Sequence, residues 1–257
     1  MNIELYLNRI GYSGSVNPTL DVLIGLQNAH LLNIPFENLD IHYGVPIELD
    51  IHKLYNKIIL KQRGGFCYEL NGLFYELLTH LGFSAKRISA RVYDKMDGYG
   101  KDFDHLAIIV SINGVEYLSD VGFGEFAFAP LKIETGIIQH DKRGDYVLHR
   151  YEDNYYRVSK LENDTWIPEY IFINTGRALN EFHEMCIYHQ TSPKSHFTQK
   201  ILITRPTQNG RITISGNTLR IKNGNAITET YLENEEAFKA ILLKYFRIAL
   251  DTHKPSR

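Results

Sequence analysis

Cys67 is the residue in this sequence best placed for covalent chemistry. It follows Arg63-Gly64-Gly65-Phe66 and opens a stretch with helical spacing: Leu70, Leu73, Phe74, Leu77, Leu78 and Leu81. Two glycines let a backbone turn sharply and approach a ligand closely. The helix that follows would turn its unpaired N–H groups and positive dipole end toward the cysteine. Both effects favour thiolate, the nucleophilic form of the side chain. The same N–H groups could hold the oxyanion of a tetrahedral intermediate. The competing reading is a structural cysteine buried in the first turn of a core helix. Cys186 has no comparable setting and reads as a core residue.

A base and its orienter are found further along. The run from Asp104-His105 to Ile112, then Asn113-Gly114, then Val115 to Asp120 is the clearest hairpin in the chain. Asn-Gly between two apolar runs predicts a two-residue type I′ turn. That turn sets Ile112 opposite Val115. Carried down the ladder, the register places His105 opposite Gly122 and Asp120 opposite Ala107. His105 and Asp120 then share a face as diagonal neighbours, ~7–8 Å apart at the backbone and within reach of a carboxylate–imidazole bond. Gly122 leaves the space across from the ring empty. A cysteine, a histidine and an aspartate in these roles make a nucleophile–base–orienter set. With 11 histidines in the chain a chance pairing is easy, and nothing local brings the hairpin to Cys67.

The elements that must position these residues change character along the chain. Asn17-Pro18 predicts a helix start, with Asn as cap and Pro in the first turn. Asp50 predicts another cap, and Gly82 the end of the helix that begins at Cys67. From Ser84 to about Phe172, short runs of Val, Ile, Tyr and Thr are broken by turn signals at Asn113-Gly114, Glu152-Asp153-Asn154 and Glu162-Asn163-Asp164, as in an antiparallel sheet or small barrel. A short helix is expected over Ala178 to His189. Strand-like pieces follow at Ile201–Thr204 and Arg211–Ser215, then an amphipathic helix from about Glu235 to Leu250. Helices, then sheet, then a mixed tail argue for α+β rather than a doubly wound fold.

The composition bounds the rest. With 257 residues, 44% of them apolar and 23% charged, the chain has the make-up of a soluble globular protein. A net charge of −2 gives no global attraction to nucleic acid or to an anionic membrane, so an anionic ligand needs a local site. No apolar run approaches the ~20 residues of a membrane helix. The first residues lack the form of a signal peptide. Two cysteines are too few for a disulfide framework or a four-thiolate zinc site, which points to a reducing cytosol and to no metal.

Arg63-Gly64-Gly65-Phe66-Cys67-Tyr68-Glu69-Leu70-Asn71, His105-Leu106 and Asp120-Val121-Gly122-Phe123-Gly124 resemble the arylamine N-acetyltransferases. Ile34-Pro35-Phe36-Glu37-Asn38-Leu39 and Thr191-Ser192-Pro193-Lys194-Ser195-His196-Phe197 extend the resemblance, in the family's order and spacing, over roughly residues 30 to 210. It implies a cysteine-proteinase-like architecture in three parts. These are a helical N-terminal domain (1–83) carrying the nucleophile, a β-barrel domain with a connecting helix (84–190) carrying His105 and Asp120, and a C-terminal α/β lid (191–257). It also implies a ping-pong reaction. Cys67 takes an acetyl group from acetyl coenzyme A and passes it to an arylamine or hydrazine, with His105 as base and Asp120 orienting the ring.

Other roles follow from the same resemblance. Phe36 and Phe123 would wall the arylamine site, while Gly122, Gly124, Ser195 and Thr207 would border the coenzyme. Glu37 and Arg63 would form a charged pair bracing the cysteine loop. Asn71, one helical turn after Cys67 on the same side, would support the loop or the triad. The bulky Phe126 and Phe128 are expected to narrow the acceptor side. Three rivals stay open on sequence alone: another Cys-His-Asp hydrolase or transglutaminase-like enzyme, an amide synthase acting on a carrier-bound chain, and a catalytically silent binder on the same scaffold.

Overall fold

The computed structural model describes residues 1–152 and 154–250. Asp153, within the turn expected at Glu152-Asp153-Asn154, lies outside the described residues, as do 251–257.

Five helices form the first part of the chain: α1 (Ile3–Ile10), α2 (Leu20–Asn33), α3 (Leu39–His42), α4 (Ile51–Tyr55, continued by a π turn over Asn56–Leu60) and α5 (Cys67–His80). The two-residue strand β1 (Phe36–Glu37) lies between α2 and α3. Asp50 caps α4 as expected, its carboxylate accepting the Lys53 N–H. The start expected at Asn17-Pro18 falls two residues later. Thr19 is the cap and accepts the Val22 N–H, while Asn17 to Thr19 forms a turn whose carbonyl is already taken. Every residue from Phe66 to Phe74 is buried, because α5 runs through the middle of the helical core among Tyr6, Ile10, Leu23 and Leu26.

The central sheet comprises β2 (Ser84–Asp94), β3 (Gly98–Tyr99), β4 (His105–Ile112), β5 (Val115–Ser119), β6 (Leu131–Lys132), β7 (Ile138–Asp141), β8 (Gly144–Tyr151), β9 (Tyr155–Glu162) and β10 (Thr165–Ile173). The strands run in the order β6-β5-β4-β2-β10-β9-β8-β7, with β3 paired to β2. Side chains nearly close this sheet into a barrel. Gln139 of β7 bonds the N–H and carbonyl of Lys132 in β6 at 2.7 and 2.9 Å, and the Asp141 carboxylate accepts the N–H groups of Phe128 and Ala129. The β4–β5 turn is of the expected kind. Asn113 and Gly114 both have positive φ (52° and 80°), and Ile112 faces Val115. The ladder runs only to Ile108–Ser119, so Asp120 stands just past the end of β5.

A 3₁₀ turn (Leu179–Phe182) leads into α6 (His183–Thr191), followed by α7 (His196–Gln199). A second antiparallel sheet then comprises β11 (Leu202–Thr207), β12 (Gly210–Ser215), β13 (Thr218–Asn223) and β14 (Ala226–Tyr231), covered by α8 (Glu235–Ile241). Two of these strands, β13 and β14, were not expected, since β14 is exposed along its whole length and carries little apolar pattern. The last helix ends in a π turn over Leu242–Phe246 and stops at Arg247, whose φ of 57° breaks it short of Leu250. Phe238, Leu242 and Phe246 pack it onto the sheet. The fold is therefore α+β. No helix among the described residues is long and apolar enough to cross a membrane.

One feature ties the chain's beginning to its end. β1 pairs with β11 (Phe36 opposite Thr204), and on its other side Phe36 bridges to Gly65 of the cysteine loop.

Candidate active site

Cys67 is the first residue of α5, and Glu69 secures that helix start by accepting the Phe66 N–H at 3.1 Å. The two glycines before it work differently from the sharp turn expected. Neither has positive φ; the left-handed residue of the loop is Gln62 (φ 53°). They are glycines because neighbours crowd them. A Cβ on Gly64 would stand 2.0 Å from the Pro35 carbonyl oxygen, and one on Gly65 would stand 2.8 Å from the Glu69 side chain.

The expected Glu37–Arg63 pair exists, with Arg63 Nη2 at 2.8 Å from Glu37 Oε1. It is part of a larger buried cluster that the sequence did not disclose. Arg63 also meets Asp40 at 3.0 Å, and Lys57 bridges Asp40 (2.9 Å) and Glu69 (2.8 Å). Burial pushes the Glu69 carboxyl up to about 7, against the pull of Lys57. Glu69 thus joins the brace of the loop to the helix cap.

Asp120 is the most heavily hydrogen-bonded side chain of the site. Its Oδ2 faces His105 Nε2 at 2.7 Å and accepts the Tyr170 hydroxyl at 3.1 Å. Its Oδ1 accepts Asn71 Nδ2 (2.8 Å) and the N–H groups of Gly122 (2.9 Å) and Phe123 (3.0 Å). Burial and the facing carboxylate push the Tyr170 phenol up, so it stays a donor. His105 is buried between Phe123 and Tyr170, with ring centroids 5.3 and 5.4 Å away. With Nε2 on the carboxylate, Nδ1 is the nitrogen left to act on a proton.

The structure supplies the proximity that sequence could not. The Leu106 N–H of β4 favours the Cys67 thiolate, and Cys67 and His105 line the same cavity. Asn71 extends from α5 to the hairpin. It donates to the Leu106 carbonyl at 2.6 Å and accepts the Val121 N–H at 2.9 Å, besides bonding Asp120. The cysteine is only 3% exposed, and burial pushes its thiol well up, with Asp104 and Asp120 adding to the effect against the Leu106 N–H. The helix start therefore does not by itself make a thiolate here; a cation must stand beside it.

The cavity has a volume of about 530 Å³, in the range of small-molecule sites. Phe36, Phe123, Gly122, Gly124 and Ser195 all line it. The Gly122 N–H is already committed to Asp120, which leaves it no donor for a ligand. Thr207 is not on the wall; Thr204, three residues earlier on β11, is. Phe126 and Phe128 do not narrow the acceptor side. Both are buried beneath it, Phe126 stacked on Tyr170 at 5.6 Å and Phe128 in the helical core. Phe197, the last residue of the Thr191–Phe197 motif and given no role there, packs on Phe36 and Phe66 at 5.9 Å each and lines the cavity.

A second polar chain meets the same wall. Ser195 Oγ lies 3.1 Å from His189 Nδ1, and His189 Nε2 lies 3.1 Å from Asp104 Oδ1. Asp104 adjoins His105, a hint in plain view, but nothing near His189 in the sequence points back to it. Among the described residues no three His, Cys, Asp or Glu side chains group as a metal site.

A family model described as N-acetyltransferase matches residues 19–255. The chain is 33% identical over 254 residues to an arylamine N-acetyltransferase of Mycobacterium tuberculosis, covering 96% of this chain and 89% of that protein. The chain belongs to the arylamine N-acetyltransferase family. The solved family structure from Salmonella typhimurium superposes with a TM-score of 0.91 at 26% identity, covering 99% of this chain and 94% of the other. That of Mycobacterium marinum, in complex with CoA, gives 0.88 at 32% identity, covering 96% and 93%. The family's members are acyltransferases, so the cavity with its thiol, imidazole and carboxylate is the place to look for acyl transfer.

Proposed function

We propose that this chain acetylates arylamines and arylhydrazines by a ping-pong reaction, taking the acetyl group from acetyl coenzyme A onto Cys67. The observation that carries this reading is the His105–Asp120 pair at 2.7 Å, whose His105 lies on the cavity wall that also holds the buried Cys67 thiol. The CoA complex of the Mycobacterium marinum relative supports the choice of donor.

Asp120, held by its donors, fixes the ring with Nε2 toward the carboxylate and Nδ1 toward the thiol. Nδ1 takes the Cys67 proton, giving a thiolate beside an imidazolium; in a desolvated site the pair stabilises a thiolate that burial alone would oppose. The thiolate attacks the thioester carbonyl. The Gly122 and Phe123 amides are committed to Asp120, so the first turn of α5 is left to hold the oxyanion. The C–S bond to the coenzyme breaks, and its sulfur leaves with the proton from His105. A neutral amine then attacks acetyl-Cys67, Nδ1 takes the amine's proton, and the Cys67 sulfur is released. Donor and intermediate are both thioesters of similar energy, so no step falls into a deep trap. Phe36, Phe123 and Phe197 offer ring faces and edges to an aromatic acceptor.

We infer further that the architecture is cysteine-proteinase-like, with the nucleophile on a helix start and its base on an adjoining barrel. The division at residues 1–83, 84–190 and 191–257 belongs to this proposal, with β1 joining the first part to the last. Both cysteines are free thiols, in keeping with a reducing cytosol. An open cavity beside an intact triad argues against a silent binder.

The test is the intact mass of the protein after mixing with acetyl coenzyme A, beside a Cys67→Ala control. One added acetyl group, absent in the control and discharged by an aromatic amine or hydrazine, is the expected result. No adduct would overturn the reading.

A further inference from the structure

Asp104 brings a second carboxylate to the cavity that holds the nucleophile. It lines the same wall as Cys67, and its charge reaches the sulfur: after burial, Asp104 and then Asp120 raise the thiol. The turn that carries it has an uncommon shape. Phe103 has a φ of 64°, in the left-handed region that a bulky residue seldom adopts. Its N–H donates to Ser89 Oγ at 2.7 Å, and the Tyr68 hydroxyl is shared between the carbonyls of Phe103 and Asp104 at 2.7 and 3.1 Å. Such a backbone persists only where its surroundings over-determine it. Here they fix the direction in which the Asp104 side chain leaves the turn, and it comes to rest against Gly100, where a Cβ would stand 2.5 Å from Oδ2.

The carboxylate is held but not saturated. Its Oδ2 accepts the Val92 N–H at a long 3.3 Å. Its Oδ1 lies 3.1 Å from His189 Nε2, but the two are not aligned as a hydrogen bond. Among the described residues no lysine or arginine pairs with Asp104. An ionised carboxylate offers about four lone-pair sites, so it can still accept donors from a ligand. The Asp104 side chain is 19% exposed and that of His189 only 8%, so the carboxylate is what a ligand meets first. Behind it the imidazole is fixed in place. Ser195 Oγ holds Nδ1 at 3.1 Å, and the rings of Tyr68, Tyr188 and Phe197 surround it with centroids 6.0, 5.6 and 5.1 Å away.

We propose that Asp104 is a specificity-determining residue for the acyl acceptor, with His189 and Ser195 as positioning residues behind it. It selects amines that carry a hydrogen-bond donor or a cation away from the reacting nitrogen, and it disfavours those that carry a carboxylate. This rests on the proposed function, since it concerns the amine that discharges acetyl-Cys67. Phe36, Phe123 and Phe197 receive an aromatic ring without telling one end of it from the other. In a mostly apolar cavity a few placed polar groups fix a ligand's orientation. A carboxylate brought beside Asp104 sets like charges together where little water screens them, whereas an amide or ammonium N–H finds an open acceptor.

The acceptors 4-aminophenylacetamide and 4-aminophenylacetate test this. They share one shape, and the methylene between ring and charge keeps their amines similar in reactivity. Cys67 is first acetylated with acetyl coenzyme A and freed of excess donor, and its discharge by each amine at subsaturating concentration is then followed by intact mass. Both amines meet the same intermediate, so the influence of Asp104 on the thiol cancels in the ratio of rates. In the wild type the amide is expected to react about tenfold faster, the scale of one charge-assisted bond. In Asp104→Asn, which keeps the size of the side chain, the two rates should come within about twofold of each other. His189→Leu should lower the preference about threefold, and His189→Gln, which keeps a donor, should retain it. Acetylation of Cys67 in each variant shows that it has folded. Equal rates in the wild type, or a preference unchanged in Asp104→Asn, would overturn the assignment. A preference unchanged in His189→Leu would overturn the role given to His189. If no acetyl-Cys67 forms in the wild type, it is the proposed function that fails; if it forms and both amines discharge it alike, only this inference falls.

Discussion

Gly122 is pressed against the backbone of Cys67. A Cβ built on it would stand 2.8 Å from the Cys67 Cα, 3.0 Å from the Cys67 carbonyl oxygen and 2.7 Å from Asn71 Nδ2. The glycine thus marks the docking point between the hairpin that carries the base and the helix that carries the nucleophile. Asn71 fastens the same joint, donating to the Leu106 carbonyl and to Asp120.

Gly122→Ala therefore forces the two elements apart, or pushes Asn71 off Asp120. Neither neighbour is the free end of a flexible chain, so the shift reaches the thiol–imidazole geometry. Misplacing reacting groups by about 1 Å costs ~100-fold. The expected outcome is a fall of that order in the rate of Cys67 acetylation in single-turnover experiments, with a melting temperature lowered by only a few degrees. Wild-type rates would show that the joint does not set the geometry.

Asp120 faces donors on every side, which makes its replacement by an amide unusually informative. In Asp120→Asn, one terminal atom becomes an NH₂ group opposed to donors, either at His105 and Tyr170 or at Asn71 and two backbone amides. The ring loses its anchor and its tautomer. The expected loss in kcat/KM is about 10³–10⁴-fold, the scale seen when an orienting carboxylate becomes an amide. Tyr170→Phe removes one neutral donor at 3.1 Å and should cost only about tenfold or less. A Tyr170→Phe defect as large as that of Asp120→Asn would contradict this ranking.

What the sequence discloses of this site, and what it withholds, follows the range of the interactions. The Asn113-Gly114 turn is local, so its type and the register from Ile112–Val115 to Ile108–Ser119 are legible, and with them the His105–Asp120 pair. Short-range caps such as Asp50 are legible too. The docking of Gly122 on Cys67, the Tyr170 hydroxyl and the Asp104–His189–Ser195 chain join residues far apart in sequence, and no local rule pairs them. Gly64 and Gly65 suggest a sharp turn because glycine favours turns; packing against Pro35 and Glu69 is invisible without a tertiary structure. The same limit hid Lys57 and Asp40, whose charges look like ordinary surface residues until three carboxylates are seen to share them. Thr207 comes from the resemblance alone; it stands three residues past Thr204 on β11 and so on the opposite face of the strand, away from the cavity.

The thiol's reactivity should depend on its neighbours in a direction the structure sets. Burial raises Cys67, the Leu106 N–H opposes this, and Asp104 and Asp120 add to the rise. Thiolate forms as pH increases, so anything that raises the thiol moves its reaction to higher pH. In His105→Gln no ring takes the proton, and the midpoint of alkylation by iodoacetamide should move up by ~1–3 pH units, the reach of one nearby charge. Asp104→Asn removes a facing carboxylate and should move it down. Measured rates across pH 5 to 10 decide the matter, and equal midpoints in wild type and His105→Gln would sink the ion-pair account.

Lys57, its side chain only 13% exposed, is the hub of the buried cluster. It lies between Asp40 at 2.9 Å and Glu69 at 2.8 Å, with Glu37 at 3.9 Å, and Arg63 is the other cation of the cluster. Lys57→Met leaves three buried carboxylates to one guanidinium, and removing one partner of a buried ion pair costs about 3–5 kcal/mol. The loss should grow with pH, for a reason whose sign can be worked out. The Glu69 carboxyl, at about 7 in the folded chain against an ordinary 4.5, binds its proton more tightly folded than unfolded. Its favourable contribution is complete below about 4.5 and is lost as pH rises through 7. Without Lys57 the folded carboxyl rises further, so the variant holds the proton through pH 7 and pays a growing cost above it. Asp40, held below its ordinary range because Lys57 and Arg63 outweigh its burial, loses part of that support as well. Urea unfolding at pH 5, 7 and 9 should show a gap between wild type and Lys57→Met that changes little from pH 5 to 7 and widens from pH 7 to 9. A gap below about 1 kcal/mol, or one that does not change with pH, would place the cluster among surface ion pairs of little consequence.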